Sequence, residues 1–334
     1  MRDLANYSLK EHNTFGIDVK CSRFLEFEDD NEAIVVAEVL RKSGLPYIII
    51  GGGSNLLLTR DYEGIVVRSA IKGYYFEDGN RMVCGSGETF DDMVAASIEA
   101  GYYGMENLSL IPGDVGASAV QNIGAYGVEA KDFIHSVWAV EIATGRPCML
   151  GAEQCDYGYR QSRFKQAWKD KYLITRVTYG LSATFTPHLD YGNIRAELER
   201  RGIAEPTARQ LRQVIIDIRN EKLPDPRVTG NAGSFFMNPV VTRSKYEQLA
   251  ALYPDMPHYC VDSSHEKIPA GWLIDQCGWK GRQMGRAGVH PKQALVLVNL
   301  GGATGQEIVA LCEAIRSDVK EKFGIAIHPE VNIV

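Results

Sequence analysis

The sequence predicts an α+β chain with mixed sheets, organised in three domains. Three observations predict it. Short apolar or alternating strand runs recur between glycines. A few longer segments combine helical apolar spacing with capping residues. At 334 residues the chain also exceeds what one ordinary core accommodates.

The elements follow in order. Phe24 to Glu28 alternates as a short strand, and Asp30 is placed to cap a helix carrying Ile34, Ala37, Val39 and Leu40 that stops at Gly44. Pro46 to Ile50 is a continuous apolar run, read as a buried strand feeding Gly51-Gly52-Gly53-Ser54-Asn55, and Gly64 to Ser69 is the next strand. Beyond Tyr74 the pattern changes to short strands at residues 81–87, 135–145 and 172–182, interrupted by a helix from Phe90 to Ala100 and a loop-rich stretch from Gly104 to Gly127. A helix over Thr207 to Lys222 has Thr207 and Gln210 as a capping box and Leu211, Val214, Ile215 and Ile218 as its apolar stripe. Its exit, residues 222–228, is a stiff proline-rich linker. Ala294 to Leu300 reads as a buried strand, Thr304 with Glu307 starts a helix ending at Gly324, and Ile325 to Val334 closes as a strand.

Composition narrows the function. A net charge of -6 offers no basic face of the kind nucleic acid binding requires. The seven cysteines, at 21, 84, 148, 155, 260, 277 and 312, form neither CxxC pairs nor a zinc-spaced cluster with histidine. Reduced thiols are the plain reading, and no metal site is expected. The first residues lack an apolar core of signal-peptide length, and no run approaches the roughly 20 apolar residues that span a bilayer. A soluble cytoplasmic protein without membrane insertion is expected.

Several motifs can carry chemistry, each beside a plainer reading. Gly51 to Asn55 lets successive backbone N–H groups point into one concavity, which suits a pyrophosphate; a ligand-free tight turn would look the same. The residues that follow read as strand and turn, so this is no Rossmann fingerprint, and no P-loop occurs. Ile111 to Gly127 is rich in small residues and almost uncharged, fit for close approach to a flat ring or for packing in a core. Arg160 follows Tyr159 and offers a fork for a carboxylate or enolate, though such an arginine also serves in surface ion pairs. Ser234 lies in a glycine-rich turn without the GxSxG elbow of a serine nucleophile, which leaves it as a proton donor or a turn residue. Glu330 follows Pro329 near the chain end, where most glutamates are simply solvated.

In this order, GGGSN, IPG with QNIGAYG, GYR, KLPDP, NAGSFFMNP, AGWLIDQ, ALVLVN and PEV resemble the UDP-N-acetylenolpyruvoylglucosamine reductase family. The resemblance runs from Asn13 to Glu330, and it is the joint order of these motifs that makes it specific. It implies a FAD-binding fold of the vanillyl-alcohol oxidase and p-cresol methylhydroxylase type, with an additional C-terminal α+β substrate domain. The implied domains are 1–72 with 325–334, 73–206, and 207–324, the last strand returning to the first domain. FAD would be held by Gly51, Gly52, Gly53, Ser54 and Asn55 at its pyrophosphate, and by Ile111, Pro112, Gly113, Gln121, Asn122, Gly124, Ala125 and Tyr126 elsewhere. The catalytic set carried over is Arg160, Ser234 and Glu330. The substrate set is Tyr159, Tyr191, Lys222 and Asn238, and the Tyr191 loop marks the longer-chain branch of the family.

The implied reaction takes hydride from NADPH through FAD to the enolpyruvyl ether of UDP-N-acetylglucosamine, giving UDP-N-acetylmuramate for the cell wall. Arg160 would stabilise charge developing beside the carboxylate, Glu330 would orient or protonate, and Ser234 would deliver the final proton. A monomer is expected. Two other classes remain open on the residues: a flavin oxidase of the same fold, and a non-catalytic UDP-sugar sensor.

Overall fold

The computed structural model describes residues 1–334. The chain divides into two compact units: Met1–Tyr7, Cys21–Gly52 and Tyr62–Glu221 in the first, and Ser8–Lys20, Gly53–Asp61 and Lys222–Val334 in the second. Its elements are the predicted mixture of helices and mixed sheets. No helix is long and apolar enough to cross a membrane.

The first unit holds two large sheets and a two-stranded hairpin. Strands Arg2–Ser8, Lys20–Phe27, Tyr62–Ser69 and Tyr47–Ile50 lie in that order, the last three mutually parallel. Helix Asp30–Ser43 provides the crossover from Lys20–Phe27 to Tyr47–Ile50, the two parallel strands that flank Tyr62–Ser69. Its cap is Asp29, one residue before the expected Asp30: the Asp29 carboxylate accepts from Glu32 N at 2.8 Å. Two acids side by side are equivalent on paper, and only Asp29 has the extended backbone that a cap requires. The helix ends on Gly44 at φ 65°, as expected.

Five antiparallel strands form the second sheet, in the order Arg146–Gly151, Ile134–Glu141, Tyr172–Gly180, Arg81–Gly85, Tyr74–Glu77. Leu25, Phe27, Ile65 and Val67 of the first sheet, Ala33, Val36, Ala37 and Leu40 of the helix, and Val140, Ile142 and Leu173 of the second sheet share one apolar cluster. The helix is thus buried between the sheets by its own apolar stripe. A second cluster fills the far side of the antiparallel sheet with Phe90, Val94, Val115, Ala119, Val177 and Tyr179.

The stretch read as loop-rich contains a 3-10 turn, Met105–Leu108, and a helix, Val115–Gln121. Glycine, alanine and serine conceal that helix in the sequence, because they carry no apolar stripe. Their smallness is what allows it to pack: a Cβ on Gly116 would stand 3.0 Å from Ser86 Cβ. Ser118 Oγ and the Tyr179 hydroxyl, both buried, lie 2.6 Å apart and pin this helix to the sheet.

Helix Ala208–Lys222 starts with the expected capping box, Thr207 N donating to Gln210 Oε1 at 2.9 Å and Gln210 N to Thr207 Oγ1 at 3.3 Å. Its stripe packs on a helix the sequence reading did not find, Ile194–Arg200, through Ile194 and Leu198.

In the second unit, strands Gly230–Asn231, Leu297–Asn299, Ala287–Val289 and Gln283–Met284 form one sheet and helix Gly305–Phe323 covers it. That helix carries the expected Thr304–Glu307 capping box and Gly324 stop. The strand expected over residues 294–300 is confined to Leu297–Asn299, since Val296 N closes a turn onto Gln293 O. The closing strand is shorter still, Asn332–Ile333, paired parallel to Leu56–Leu57. Pro329, without an N–H, interrupts it and allows only an isolated bridge to Phe236. The start of helix Gly305–Phe323 gives a direct test. A Cβ on Gly305 would fall 2.0 Å from Leu58 O, a contact only backbone movement relieves. Gly305→Ala is expected to lose about 1–3 kcal/mol in denaturant unfolding, whereas an unchanged midpoint would contradict this packing.

Candidate active site

Strand Tyr47–Ile50 runs straight into Gly51-Gly52, and the two glycines lie against the Gly113 to Ala117 segment. A Cβ on Gly51 would be 3.1 Å from Ala117 Cβ, and one on Gly52 would be 3.0 Å from Asp114 Oδ1. The same imagined Gly52 Cβ lies 3.5 Å from Gly113 Cα. Two of the motifs assigned to the cofactor therefore meet inside the first unit, with bare backbone on one side. Such a surface fits a dinucleotide diphosphate, because N–H groups uncovered by side chains can reach its oxygens.

Around the other end of helix Val115–Gln121, Asn122 adopts φ 46° and caps the helix in the left-handed conformation that asparagine tolerates. Its buried side chain is fully used: Nδ2 donates to Gly158 O at 2.7 Å and Glu129 Oε2 at 3.1 Å, and Oδ1 accepts from Lys131 N at 2.9 Å. It thereby ties Ile123 to Gly127 to the turn that carries Arg160. Gly124-Ala125 pairs with Val128-Glu129 as a tight hairpin whose turn residues Tyr126 and Gly127 both have positive φ.

Arg160 sits in a two-residue turn closed by reciprocal bonds between Gly158 and Gln161, both 3.0 Å. Its φ is 55°, a region that a side chain with a Cβ enters only at a cost of roughly 1 kcal/mol or more. Two groups hold it there. Lys165 Nζ donates to Arg160 O at 3.0 Å, and the guanidinium donates to Gly124 O and to Asn122 O. The Tyr159 ring flanks the guanidinium at 5.4 Å. Strain at this one turn points a half-buried cation across the small-residue loop.

Tyr191 and Gly192 face Tyr126 and Gly127 reciprocally. A Cβ on Gly127 would stand 3.4 Å from the Tyr191 ring, and one on Gly192 would stand 3.5 Å from the Tyr126 ring. Tyr191 is otherwise exposed. Asn107, buried, secures the same corner by donating from Nδ2 to Tyr126 O and to His188 O, both 3.0 Å.

Arg219, beside Tyr126 and Arg160, is a candidate site residue that motif reading missed. Burial pushes its guanidinium below the usual range, a hydrogen bond to the Tyr126 hydroxyl opposes that, and neighbouring Arg160 adds like-charge repulsion. The signal was present in the sequence: Arg219 falls four residues after Ile215 and eight after Leu211, so a cation stands on the apolar stripe.

The second unit assembles a different set. Met237 N donates to His328 O at 3.0 Å and Glu330 N to Phe235 O at 2.8 Å, so the chain beyond exposed Ser234 runs alongside half-buried Glu330. Asn55 Nδ2 donates to Glu330 O at 3.3 Å, and Asn55 O accepts from Asn332 N at 3.1 Å. Gly53 O accepts from Thr14 N at 3.2 Å, and Thr14 O accepts from Asn231 N at 3.0 Å. Asn231 Oδ1 in turn accepts from Gly233 N at 2.9 Å and shapes the turn before Ser234. Asn238 Oδ1 accepts from Ala270 N at 2.9 Å at the start of helix Ala270–Gln276. Lys222 is exposed at the end of its helix. Gly53, Ser54, Asn55, Ser234, Asn238, Lys222 and Glu330 thus belong to the second unit, while Arg160, Tyr159, Tyr191 and the remaining cofactor candidates belong to the first.

Comparison with known proteins bears on this arrangement. Residues 21–151 match the FAD binding domain family, and residues 225–334 match the C-terminal domain of UDP-N-acetylenolpyruvoylglucosamine reductase. The chain is 52% identical to UDP-N-acetylenolpyruvoylglucosamine reductase of Bacteroides fragilis, over 98% of this chain and 99% of that protein. It is 48% identical to the Pseudomonas aeruginosa reductase of the same name, over 98% and 97% respectively. The crystal structure of UDP-N-acetylenolpyruvylglucosamine reductase from Thermus caldophilus superposes with a TM-score of 0.68 at 23% identity, covering 99% of this chain and 98% of that one, which shows a common fold. With that identity sustained over nearly the whole length of both chains, this protein belongs to the UDP-N-acetylenolpyruvoylglucosamine reductase family.

Proposed function

We propose that this flavoenzyme reduces the enolpyruvyl ether of UDP-N-acetylglucosamine to UDP-N-acetylmuramate with NADPH, in the cytoplasm and as a monomer, supplying a peptidoglycan precursor. FAD, when bound, supplies the two-electron carrier between NADPH and the enol ether. Gly51 and Gly52 against Gly113 and Ala117 support the diphosphate assignment, with Gly53, Ser54 and Asn55 continuing the same turn. Ile111, Pro112, Gln121, Asn122, Gly124, Ala125 and Tyr126 line the helix and hairpin next to it, as a loop that embraces the rest of a dinucleotide would. The domain reading is a proposal of the same kind: 1–72 with 325–334 and 73–206 on the cofactor side, and 207–324 on the substrate side.

The observation that carries the catalytic reading is the strained Arg160 turn. Strain of this kind persists where the surroundings over-determine it, and functional sites are where it gathers. A guanidinium fork held by Gly124 O and Asn122 O stays oriented when a carboxylate arrives, so it can stabilise charge growing beside that carboxylate without reorganising. Ser234 donates the proton that completes the lactyl ether, and Glu330 orients or resupplies it. The ladder between 235–237 and 328–330 supports that pairing, because it keeps the two backbones in register. Tyr191, Tyr159, Lys222 and Asn238 are assigned to the sugar nucleotide. For Asn238, engagement of Oδ1 by Ala270 N turns the amide N–H groups into the donors offered to an anionic oxygen.

Purified protein should show a flavin absorbance band that NADPH bleaches and the enolpyruvyl sugar nucleotide restores. A colourless protein, or recovery with oxygen alone and none with that substrate, would overturn the function. In stopped flow, Ser234→Ala should keep normal bleaching by NADPH while recovery with substrate slows about a hundredfold or more. Unaltered recovery would remove Ser234 from the role. Arg160→Lys keeps the charge but loses the fork, and is expected to lower kcat by roughly 10²–10³ with bleaching by NADPH nearly intact. An effect confined to bleaching would assign Arg160 to the other half of the cycle.

A further inference from the structure

Behind the Gly51-Gly52 turn, within the Ile111 to Gly127 segment, stands a carboxyl group to which neither the cofactor assignment nor the catalytic set gives a role. Asp114 is 9% exposed and begins helix Val115–Gln121. Its Oδ2 is buried without a hydrogen-bond partner, and Oδ1 would touch a Cβ on Gly52 at 3.0 Å. As an ordinary helix-capping residue it would accept from the first turn, yet its side chain makes no such bond. A negative group directly behind a turn that receives a diphosphate is electrostatically misplaced, since two anions at such range repel strongly in a poorly solvated site.

Every charged group facing it is known. From the parallel sheet, Arg68 Nη2 approaches Oδ2 at 3.6 Å, beyond hydrogen-bond length, because Arg68 Nη1 is committed to Glu26 at 2.9 Å. Lys72 and Glu88 act from the loops beside the helix and pair with each other at 3.4 Å. The Gly51-Gly52 turn and Ala117 bring no charge of their own. One loosely attached arginine therefore leaves the carboxylate incompletely compensated. Desolvation accordingly pushes the Asp114 carboxyl up to about 6, with Arg68 and then Lys72 opposing it and Glu88 reinforcing it.

We propose that Asp114 belongs to the cofactor's phosphate site and takes up a proton from solvent when the diphosphate settles on Gly51 and Gly52. The inference rests on the FAD assignment above and deepens it. Once neutral, the carboxyl no longer opposes the diphosphate and its O–H becomes a donor, while Arg68 keeps its bond to Glu26. The sign follows from linkage. A ligand that favours the protonated form binds tightest at low pH, and its affinity falls as pH rises through about 6 until the bound-state carboxyl also ionises.

Flavin-stripped full-length protein titrated calorimetrically with FAD tests this. The dissociation constant should weaken about fiftyfold between pH 6 and pH 8. At pH 7, titration in two buffers of different ionisation enthalpy should show net proton uptake approaching one per FAD. Asp114→Asn should bind FAD with a flat pH profile and no proton uptake, and Asp114→Ser serves if the asparagine variant fails to fold. Tight FAD binding by the unmodified protein, independent of pH and without proton uptake, overturns the proposal and leaves the flavin reading standing. Absence of FAD binding at every pH overturns both.

Discussion

The cofactor side of the molecule depends on one close approach of glycine backbone to the side chains of a neighbouring helix start. Gly51 and Gly52 lie so close to Asp114 and Ala117 that a Cβ on either glycine would press on those side chains at 3.0–3.1 Å. The approach works from both directions. Ser118 reaches Tyr179 on one side of the short helix, Gly116 abuts Ser86, and Ser162 Oγ donates to Val120 O at 2.6 Å. A segment with almost no apolar bulk is thus held on several sides by polar bonds and backbone contact. The rigidity that a site for a large flat ligand needs is obtained without filling the space the ligand would take.

The second unit achieves order by a different route. Its N-terminal contribution, residues 8–20, has little regular structure, yet Asn13 organises it from within. Nδ2 donates to Leu9 O at 2.8 Å and Ile17 O at 2.9 Å, and Oδ1 accepts from Ile17 N at 2.9 Å. Phe15, wholly buried, then packs edge-on to Phe235, and Asn299 Nδ2 donates to Phe15 O at 2.9 Å. A side chain on Gly230 would collide with that same carbonyl at 2.3 Å. Through these bonds, segments more than two hundred residues apart in sequence set the backbone leading to Ser234.

Periodicity made much of this readable. Leu211, Val214, Ile215 and Ile218 are all buried as the 3.6-residue repeat implies, and both capping boxes, Thr207–Gln210 and Thr304–Glu307, form. Where side chains carried no period, the reading stopped short. Helix Val115–Gln121 was hidden by its small residues, and helices Ile194–Arg200 and Arg243–Ala250 by short length and high charge. The candidate site was legible as a set of motifs in order. What motifs could not convey was the backbone: the left-handed turn at Arg160, the fully engaged amide of Asn122, and the carboxyl behind Gly52 are properties of conformation and burial. Arg219 was the exception, since a cation on an apolar stripe is visible without coordinates.

The way the chain is shared between its units has a consequence for biosynthesis. The polypeptide passes from one unit to the other at Tyr7–Ser8, Lys20–Cys21, Gly52–Gly53, Asp61–Tyr62 and Glu221–Lys222. On the ribosome, everything the first unit needs has emerged once Glu221 is out. Residues 8–20 and 53–61, with Leu9, Phe15, Leu57 and Leu58 destined for complete burial, must wait. Leu56–Leu57 in particular meets its strand partner only when Asn332–Ile333 has been made, roughly 15 to 55 seconds later at ~5–20 residues per second. From the release of Glu221 until Asn332–Ile333 is made, the nascent chain carries those leucines and phenylalanine unburied while the first unit already has every residue it needs, so the two segments are a stretch exposed to aggregation during synthesis.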